Sequence, residues 1–160
     1  MYEATRDFIK ARQKFTKCIP TLRTDVQHVG GGEAHKSFNN AQSQSENSIG
    51  SGNKVISILG WVVKPHNSST NSTAIRKHWW NFDVKTGEHF DTSPSIIEAS
   101  EYVLDYDLYD FGRTHAHKIN RNVTKSLLYR DGKFSLIEDF ATMKFLPIDE
   151  LRTELLFAYK

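Results

Sequence analysis

Apolar positions recur at helical spacing near the start of the chain and form β-type runs through its middle. Residues 3 to 17 place Phe8, Ala11 and Phe15 among charged residues, which predicts an amphipathic helix that ends before Pro20. The other patterns predict a helix over Glu33–Glu46, strands over Lys54–Val63, Ile75–Asp83, Glu88–Thr92, Leu127–Tyr129 and Phe134–Ile137, a short helix over Ser95–Ser100 and a C-terminal helix opened by Pro147.

The order of these elements indicates the fold class. Two helices come first, then mainly antiparallel strands, then a helix, which is typical of an α+β domain and not of a doubly wound α/β domain. The Asp131-Gly132 pair lies between two apolar runs and predicts a tight hairpin. We find no internal repeat and no interdomain linker. We therefore expect one domain over residues 1–160, with N-terminal helices packed on a mainly antiparallel sheet.

Composition narrows the class of protein further. The chain has 160 residues, 25% charged and 38% hydrophobic, and a single cysteine, Cys18, which excludes an intrachain disulfide and a thiolate-rich zinc site. The net charge is +2 with scattered basic residues, so we predict no nucleic-acid partner. No apolar run approaches the ~18 residues of a membrane span, and the charged N-terminus does not resemble a signal peptide. We expect a cytoplasmic protein without membrane contact, metal or cofactor.

One segment concentrates residues suited to chemistry. A four-residue turn that ends in Gly87 would pair Asp83 with Glu88 and place Asp91 opposite Trp80. In that register His78 is a diagonal neighbour of Asp91 on the same sheet face, roughly 7–8 Å away at the backbone. A three-residue loop would instead place the two on opposite faces, so the prediction depends on the turn.

A histidine next to an aspartate is the orienting half of a nucleophile–His–acid triad. The carboxylate fixes the tautomer of the imidazole and stabilises its protonated form, while the other ring nitrogen takes the proton of the nucleophile. A nucleophile is favoured at a helix N-terminus, where the dipole and free N–H groups stabilise negative charge. The helix that follows Gly30-Gly31-Gly32 offers Ser37 near its start.

Four segments, in chain order, resemble the papain-like or transglutaminase-like cysteine hydrolases. In particular, they resemble small bacterial and phage proteins with a Cys-aromatic-x-Asn-Ala helix, a Gly-aromatic strand, a His-Ala-Trp-Asn strand and an Asp-Pro-Thr strand. The resemblance covers about residues 30 to 95 and is carried by Ser37-Phe38-Asn39-Asn40-Ala41, Gly60-Trp61, His78-Trp79-Trp80-Asn81 and Asp91-Thr92-Ser93-Pro94.

The resemblance implies a papain-like fold with Ser37 at the nucleophile position, His78 as general base and Asp91 as the orienting acid. We further expect backbone N–H groups at the helix start, with Gln27 or Asn40, to stabilise the oxyanion. We expect Trp79 and Trp80 to form core on one face and a groove wall for substrate on the other.

The residue at position 37 departs from the family pattern, because serine stands where the family has cysteine. Three interpretations stay open: a cysteine enzyme silenced by Cys-to-Ser substitution, a natural Ser-His-Asp triad, or a catalytically inactive relative that binds. Cys18 is a rival nucleophile, and Ala34 is another position from which a cysteine could be absent.

The sequence therefore favours a thiol-type hydrolase or acyl transferase that acts on an amide or acyl bond of a protein, peptide or small amide. The alternative is a non-catalytic module on the same fold that binds a peptide or small ligand in the tryptophan groove. His115 and His117 would point the same way on a strand and suggest a metal pair, but no third ligand follows from the spacing, so we expect no metal site.

Overall fold

Four helices and nine strands make up the described part of the chain, which comprises residues 2–16, 22–67, 69–94, 100–119, 126–139, 141–142 and 144–157 of a computed structural model. The helices are α1 (Glu3–Gln13), α2 (Ser37–Asn47), α3 (Tyr106–Ile119) and α4 (Thr153–Leu156). The strands are β1 (Leu22–Thr24), β2 (Val26–His28), β3 (Val55–Asn67), β4 (Ser72–Asp83), β5 (Glu88–Asp91), β6 (Glu101–Leu104), β7 (Ser126–Arg130), β8 (Lys133–Asp139) and β9 (Lys144–Ile148). This arrangement confirms the α+β class.

The sheet is built around the long antiparallel hairpin of β3 and β4. Its strand order is β1-β6-β3-β4-β7-β8-β9, and β5 shares the outer edge of β4 with β7. β5 also pairs in parallel with β2, and β2 is separated from β1 by Asp25 alone. Six strands therefore follow one another in a closed circuit, β1-β6-β3-β4-β5-β2, with one face turned inward.

Two apolar cores lie on opposite faces of this sheet. The larger packs α1, α2 and α3 on the sheet and contains Phe8, Leu59, Trp61 and Trp79 among its buried residues. The smaller core lies on the other face, inside the closed circuit, and includes Trp80. Successive residues of a strand point to opposite faces, which is why the two adjacent tryptophans belong to different cores.

Turn chemistry sets the two hairpins as the sequence predicts. Asp83 pairs with Glu88, and Gly87 ends the turn with a φ of 74°. The β7–β8 hairpin turns at Asp131 and Gly132, with φ values of 51° and 74°. Both glycines adopt left-handed backbone, which is nearly free of strain only without a Cβ.

Several predicted bounds differ from the structure. α1 ends at Gln13 and α2 begins only at Ser37, because His35 has a φ of 59°, a left-handed conformation outside a helix. The first strand of the central hairpin extends to Asn67, beyond its predicted end at Val63, and the second begins at Ser72, before its predicted start at Ile75. Residues 95–99 of the short predicted helix lie outside the described residues.

Two predictions were wrong about the type of element. Pro147 lies in β9, the last strand of the sheet, where an edge position tolerates a residue that cannot donate to a ladder; it does not open a helix. The sequence around Asp105, Asp107 and Asp110 predicts an acidic surface strand or loop, but in the structure this segment forms the start of α3. Asp105 starts this helix, since its carboxylate accepts hydrogen bonds from the N–H groups of Asp107 and Leu108 at 3.1 and 3.3 Å.

Candidate active site

The first residue of α2 is Ser37, whose position is fixed by the loop before it. Gly32 donates its N–H to the carbonyl of Thr92 at 2.8 Å, and a Cβ at Gly32 would lie 2.6 Å from that oxygen. The Asn40 side chain accepts from the N–H of Glu33 and donates to its carbonyl, both at 2.8 Å. The glycine-rich loop is thereby held against both α2 and the chain that follows β5.

His78 and Asp91 form a buried pair, as the predicted register requires. His78 Nε2 lies 2.6 Å from Asp91 Oδ2, and the two residues are 7% and 1% exposed. Asp91 ends β5, and the pairing of Asn81 with Phe90 places Asp91 opposite Trp80, so the imidazole and the carboxylate share a face. Among the described residues, Nδ1 of His78 makes no hydrogen bond, which leaves it available as a base.

Tyr102 supports Asp91 from β6. Its hydroxyl donates to Asp91 Oδ2 at 2.7 Å, while the N–H of Ser93 donates to Oδ1 at 2.8 Å. The Tyr102 ring also lies edge-on to the imidazole of His78, with centroids 6.0 Å apart. Three donors therefore converge on one carboxylate, and they hold it in a single orientation towards the imidazole.

The electrostatics of this cluster keep the carboxylate ionised. Burial acts to raise the pKa of Asp91, but the hydrogen bond and charge of His78 and the donors Ser93 and Tyr102 outweigh it, and the net pKa is lowered. The pKa of Tyr102 is strongly raised, first by burial and then by the adjacent negative charge of Asp91. Both shifts favour a protonated Tyr102 hydroxyl that donates to an ionised Asp91 carboxylate.

Ser37 lies at a stretch of the β4 edge that pairs with none of the described strands. β7 pairs with β4 up to Ile75 and β5 pairs with it from Asn81, so neither strand covers the edge around Trp79. The Oγ of Ser37 lies 3.5 Å from the backbone N of Trp79, the nitrogen bonded to the carbonyl carbon of His78. The half-buried Ser37 is thus placed against the backbone of the residue that follows His78.

The other residues predicted to contact substrate are placed differently. The Asn40 amide is occupied by Glu33 and by Ser93 Oγ at 3.3 Å, so in this structure it orders the loop. Gln27 is exposed on β2, opposite Phe90 of β5. It lies one residue from the position that pairs with Asp91, and its role in oxyanion binding stays a prediction.

The two tryptophans do not form an exposed groove. Trp79 is 6% exposed and packs edge-on to Phe38 of α2, with ring centroids 5.0 Å apart. Trp80 is 0% exposed, and its indole donates to His89 Nδ1 at 3.0 Å. Alternation along β4 indicated two faces, but both faces are covered, one by α2 and one by the closed circuit of strands. Among the described residues neither indole is exposed enough to line a groove, and the alternative role as a binding module stays a prediction.

Sequence reasoning missed Tyr102 and His89. Tyr102 lies on β6, which reaches Asp91 only through the closure of the sheet, and no local spacing signals such a contact. His89 was open to prediction, because the Asp83–Glu88 register places it opposite Phe82 on the face of Trp80.

The remaining candidates lie apart from this cluster or beyond the description. Cys18 is outside the described residues, and Ala34 is exposed in the turn before α2. His115 lies in α3 and stacks on Phe111, so the strand geometry assumed for a histidine pair does not occur there. Within the described ranges, no three His, Cys, Asp or Glu side chains are grouped so as to hold a metal ion.

Comparisons of the chain with protein-family models, with curated proteins and with solved structures give no match. In the described part of the chain, no helix has both the length and the apolar character needed to cross a membrane. The chemistry of the site therefore has to be argued from its own geometry.

Proposed function

We propose that this chain is built for acyl transfer from position 37, as a thiol-type hydrolase or acyl transferase acting on an amide or related acyl bond of a protein, peptide or small molecule. The observation that carries the proposal is the buried 2.6 Å contact between His78 Nε2 and Asp91, and it is supported by the 3.5 Å contact between Ser37 Oγ and the backbone N of the next residue, Trp79. A papain-like, single-domain architecture agrees with a nucleophile on a helix start and a base on the adjacent sheet.

The mechanism follows from these positions. The nucleophile at residue 37 attacks the acyl carbon, while its proton passes to His78 Nδ1 and the imidazolium is stabilised by Asp91. His78 then gives that proton to the departing amine, so the C–N bond breaks as the acyl-enzyme forms. Water or a second amine attacks the acyl carbon in turn and returns residue 37 to its free form.

The start of α2 stabilises the negative charge that develops in this reaction. The first N–H groups of an α-helix have no partner inside the helix, and its dipole favours an anion at that end. α2 has 11 residues, and Ser37 is its first. The N–H groups that follow it are therefore candidates for the oxyanion hole, and the same field lowers the pKa of a thiol placed there.

A thiol introduced at position 37 tests the proposal directly. In a Cys18→Ser background, the variant Ser37→Cys is treated with iodoacetamide at pH 6, where a thiol of ordinary pKa is less than about 1% ionised. We expect alkylation of position 37 to be fast, and His78→Ala to slow it. Intact-mass spectrometry at timed intervals gives the rate constants.

The matched control is Ser43→Cys, which places a thiol at an exposed position of the same helix, away from its start. Its alkylation should be slow and unaffected by His78→Ala. Equal rates at positions 37 and 43, or a rate at position 37 that survives His78→Ala, would contradict the proposal.

The serine present in the chain is tested separately. A fluorophosphonate reacts with a hydroxyl only where a base activates it, so labelling of Ser37 in the unmodified chain indicates a natural serine enzyme. If Ser37→Cys is activated and Ser37 itself is not labelled, the site is organised for a thiol. That result favours a silenced cysteine enzyme or an inactive relative over a serine hydrolase.

A further inference from the structure

Asn81 connects α2 to the sheet through one buried hydrogen bond. The residue lies on β4 and is 1% exposed, and its Nδ2 donates to the carbonyl of Ala41 at 2.9 Å. Ala41 follows Ser37 by four residues, so the two lie on one face of α2, about 6 Å apart along the helix. Asn81 follows Trp79 by two residues, about 7 Å along the strand. The contact at position 37 and the contact at Asn81 are therefore neighbouring attachment points between α2 and β4.

The backbone of α2 does not need this hydrogen bond. Ala41 lies inside α2, where a carbonyl already accepts from the N–H four residues further on, and Asn81 takes its second lone pair. The other half of the amide is unsatisfied, because Asn81 Oδ1 is buried and has no hydrogen-bond partner among the described residues. A buried acceptor without a partner is unfavourable. An apolar residue of similar shape would therefore suit stability at least as well as asparagine does.

The amide adds direction to an interface that is otherwise apolar. Phe38 of α2 packs on Trp79, and because the hydrophobic effect is non-directional, such packing permits small shifts of the helix along the strand. A hydrogen bond does not permit them, since it requires a donor–acceptor distance of about 2.7–3.2 Å and good alignment. The Asn81–Ala41 bond thus fixes the translation and rotation of α2 on β4, and Ser37 is placed with it, one helical turn away.

Resting on the proposed acyl transfer at position 37, we infer that Asn81 is a positioning residue for the nucleophile. It holds the start of α2 in one place against β4 and so sets where residue 37 lies relative to His78. Asn81 itself contacts no reacting atom in this scheme. Without its amide, α2 stays packed on the sheet, but its first residue is no longer held in the geometry that the base requires.

Replacing the amide separates positioning from stability. Asn81→Leu keeps the branching of the side chain without its donor, and Asn81→Ala removes the donor without adding volume. In the Ser37→Cys, Cys18→Ser background, we expect each to slow alkylation by iodoacetamide at pH 6 about tenfold, the loss that follows when the thiol pKa returns from about 7 to about 8. The pH profile of the rate should move to higher pH accordingly. The urea midpoint of Asn81→Leu should not fall below that of the parent.

The matched control is Ser45→Ala, which removes another hydrogen bond between α2 and the sheet. Ser45 Oγ donates to the carbonyl of Val55 on β3 at 2.9 Å, the same length as the Asn81 bond, but Ser45 lies eight residues after Ser37. We expect Ser45→Ala to lower the urea midpoint and to leave the alkylation rate at position 37 and its pH profile unchanged. A purely structural contact would behave in this way.

Hydrogen exchange at the Trp79 amide tests the position of α2 without any thiol. This N–H lies 3.5 Å from Ser37 Oγ at the β4 edge, so its exchange depends on how closely the start of α2 lies against it. In the unmodified chain, Asn81→Leu should accelerate its exchange about tenfold relative to the N–H groups of β3, measured by NMR. Ser45→Ala should not.

The outcomes separate this inference from the proposed function. Alkylation at position 37 that is equally fast with and without the Asn81 amide, or Trp79 exchange that Asn81→Leu leaves unchanged, overturns the inference. An effect of Ser45→Ala as large as that of Asn81→Leu also overturns it, because any loosening of α2 would then suffice. Slow alkylation at position 37 in the Ser37→Cys, Cys18→Ser parent contradicts the proposed function instead, and Trp79 exchange then still decides whether Asn81 places residue 37.

Discussion

Two buried carboxylates, Asp105 and Asp91, each pair with a basic side chain, and the two clusters differ in what they leave unused. Arg12 and Asp105 are both 0% exposed, and the arginine makes five hydrogen bonds, to Asp105, the Leu151 carbonyl and Thr153. Five is the number of N–H donors of a guanidinium. Every donor of this guanidinium is used, whereas the imidazole that pairs with Asp91 has one nitrogen without a hydrogen bond to any described residue.

The cluster of Arg12 and Asp105 joins distant parts of the chain. Asp105 also accepts from the Trp61 indole at 3.0 Å and starts α3, so one carboxylate connects α1, β3 and α3. Arg12 adds the segment before α4 through Leu151. A guanidinium with every donor used has no N–H left for a reaction, and the role of this cluster is to hold the fold.

The largest expected effect is the loss of stability when Arg12 is replaced. Arg12→Leu leaves Asp105 buried without its counterion, which should lower the free energy of unfolding by about 3–5 kcal/mol. Urea denaturation measures the change. The matched control is Arg6→Leu on the same helix, because Arg6 is 66% exposed and its 3.4 Å pair with Asp7 should contribute less than about 1 kcal/mol. Similar losses for both variants would mean that the buried cluster does not stabilise the fold.

For the reactive cluster of His78, Asp91 and Tyr102, the expected loss is in reactivity at position 37 and not in stability. In the Ser37→Cys, Cys18→Ser background, Asp91→Asn removes the charge that stabilises a protonated His78. A thiol pKa that returns from about 7 to about 8.5 lowers the alkylation rate at pH 6 by about thirtyfold. The control is Asp25→Asn, which changes a carboxylate whose side chain is 91% exposed. If alkylation is as fast after Asp91→Asn as before it, the carboxylate does not take part in activation.

The contact between His78 and Asp91 could be predicted from the sequence because a local turn determines it. Contacts made only through the closure of the sheet or between distant segments could not. The turn at Gly87 determines the β4–β5 register, and this register alone brings His78 to Asp91, only 13 residues away. By contrast, Arg12 and Asp105 are 93 residues apart, and no periodicity along the chain relates them. Tyr102 is near Asp91 in sequence but meets it only because the strands close into a circuit.

We expect Tyr102→Phe to have an effect of intermediate size, on both stability and reactivity. It removes one of three donors to Asp91 and keeps the ring, so the free energy of unfolding should fall by about 1 kcal/mol. Tyr129→Phe is the matched control, since its hydroxyl donates to Asp7 at 2.6 Å outside both clusters. The two variants should lose similar stability, but only Tyr102→Phe should slow alkylation at position 37. Equal alkylation rates in the two would make Tyr102 purely structural.

The smallest effect concerns the pH dependence of stability, because an arginine stays protonated in proteins while His89, which contacts Trp80 near the His78–Asp91 pair, can titrate. Burial lowers the pKa of His89 below its ordinary value, and its Nδ1 accepts from Trp80, which requires a neutral acceptor there. Below about pH 6.5 the unfolded chain therefore binds a proton that the folded protein resists, and the free energy of unfolding decreases as pH falls.

His89→Gln keeps an acceptor for the Trp80 indole and removes the titrating group, so the loss of stability between pH 8 and pH 5.5 should become smaller than in the parent. Urea midpoints at the two pH values measure that loss. His66→Gln, on β3, provides the histidine control and should keep the parental dependence. If the free energy of unfolding depends on pH as strongly in His89→Gln as in the parent, the dependence comes from another titrating group. The assignment to His89 would then be wrong.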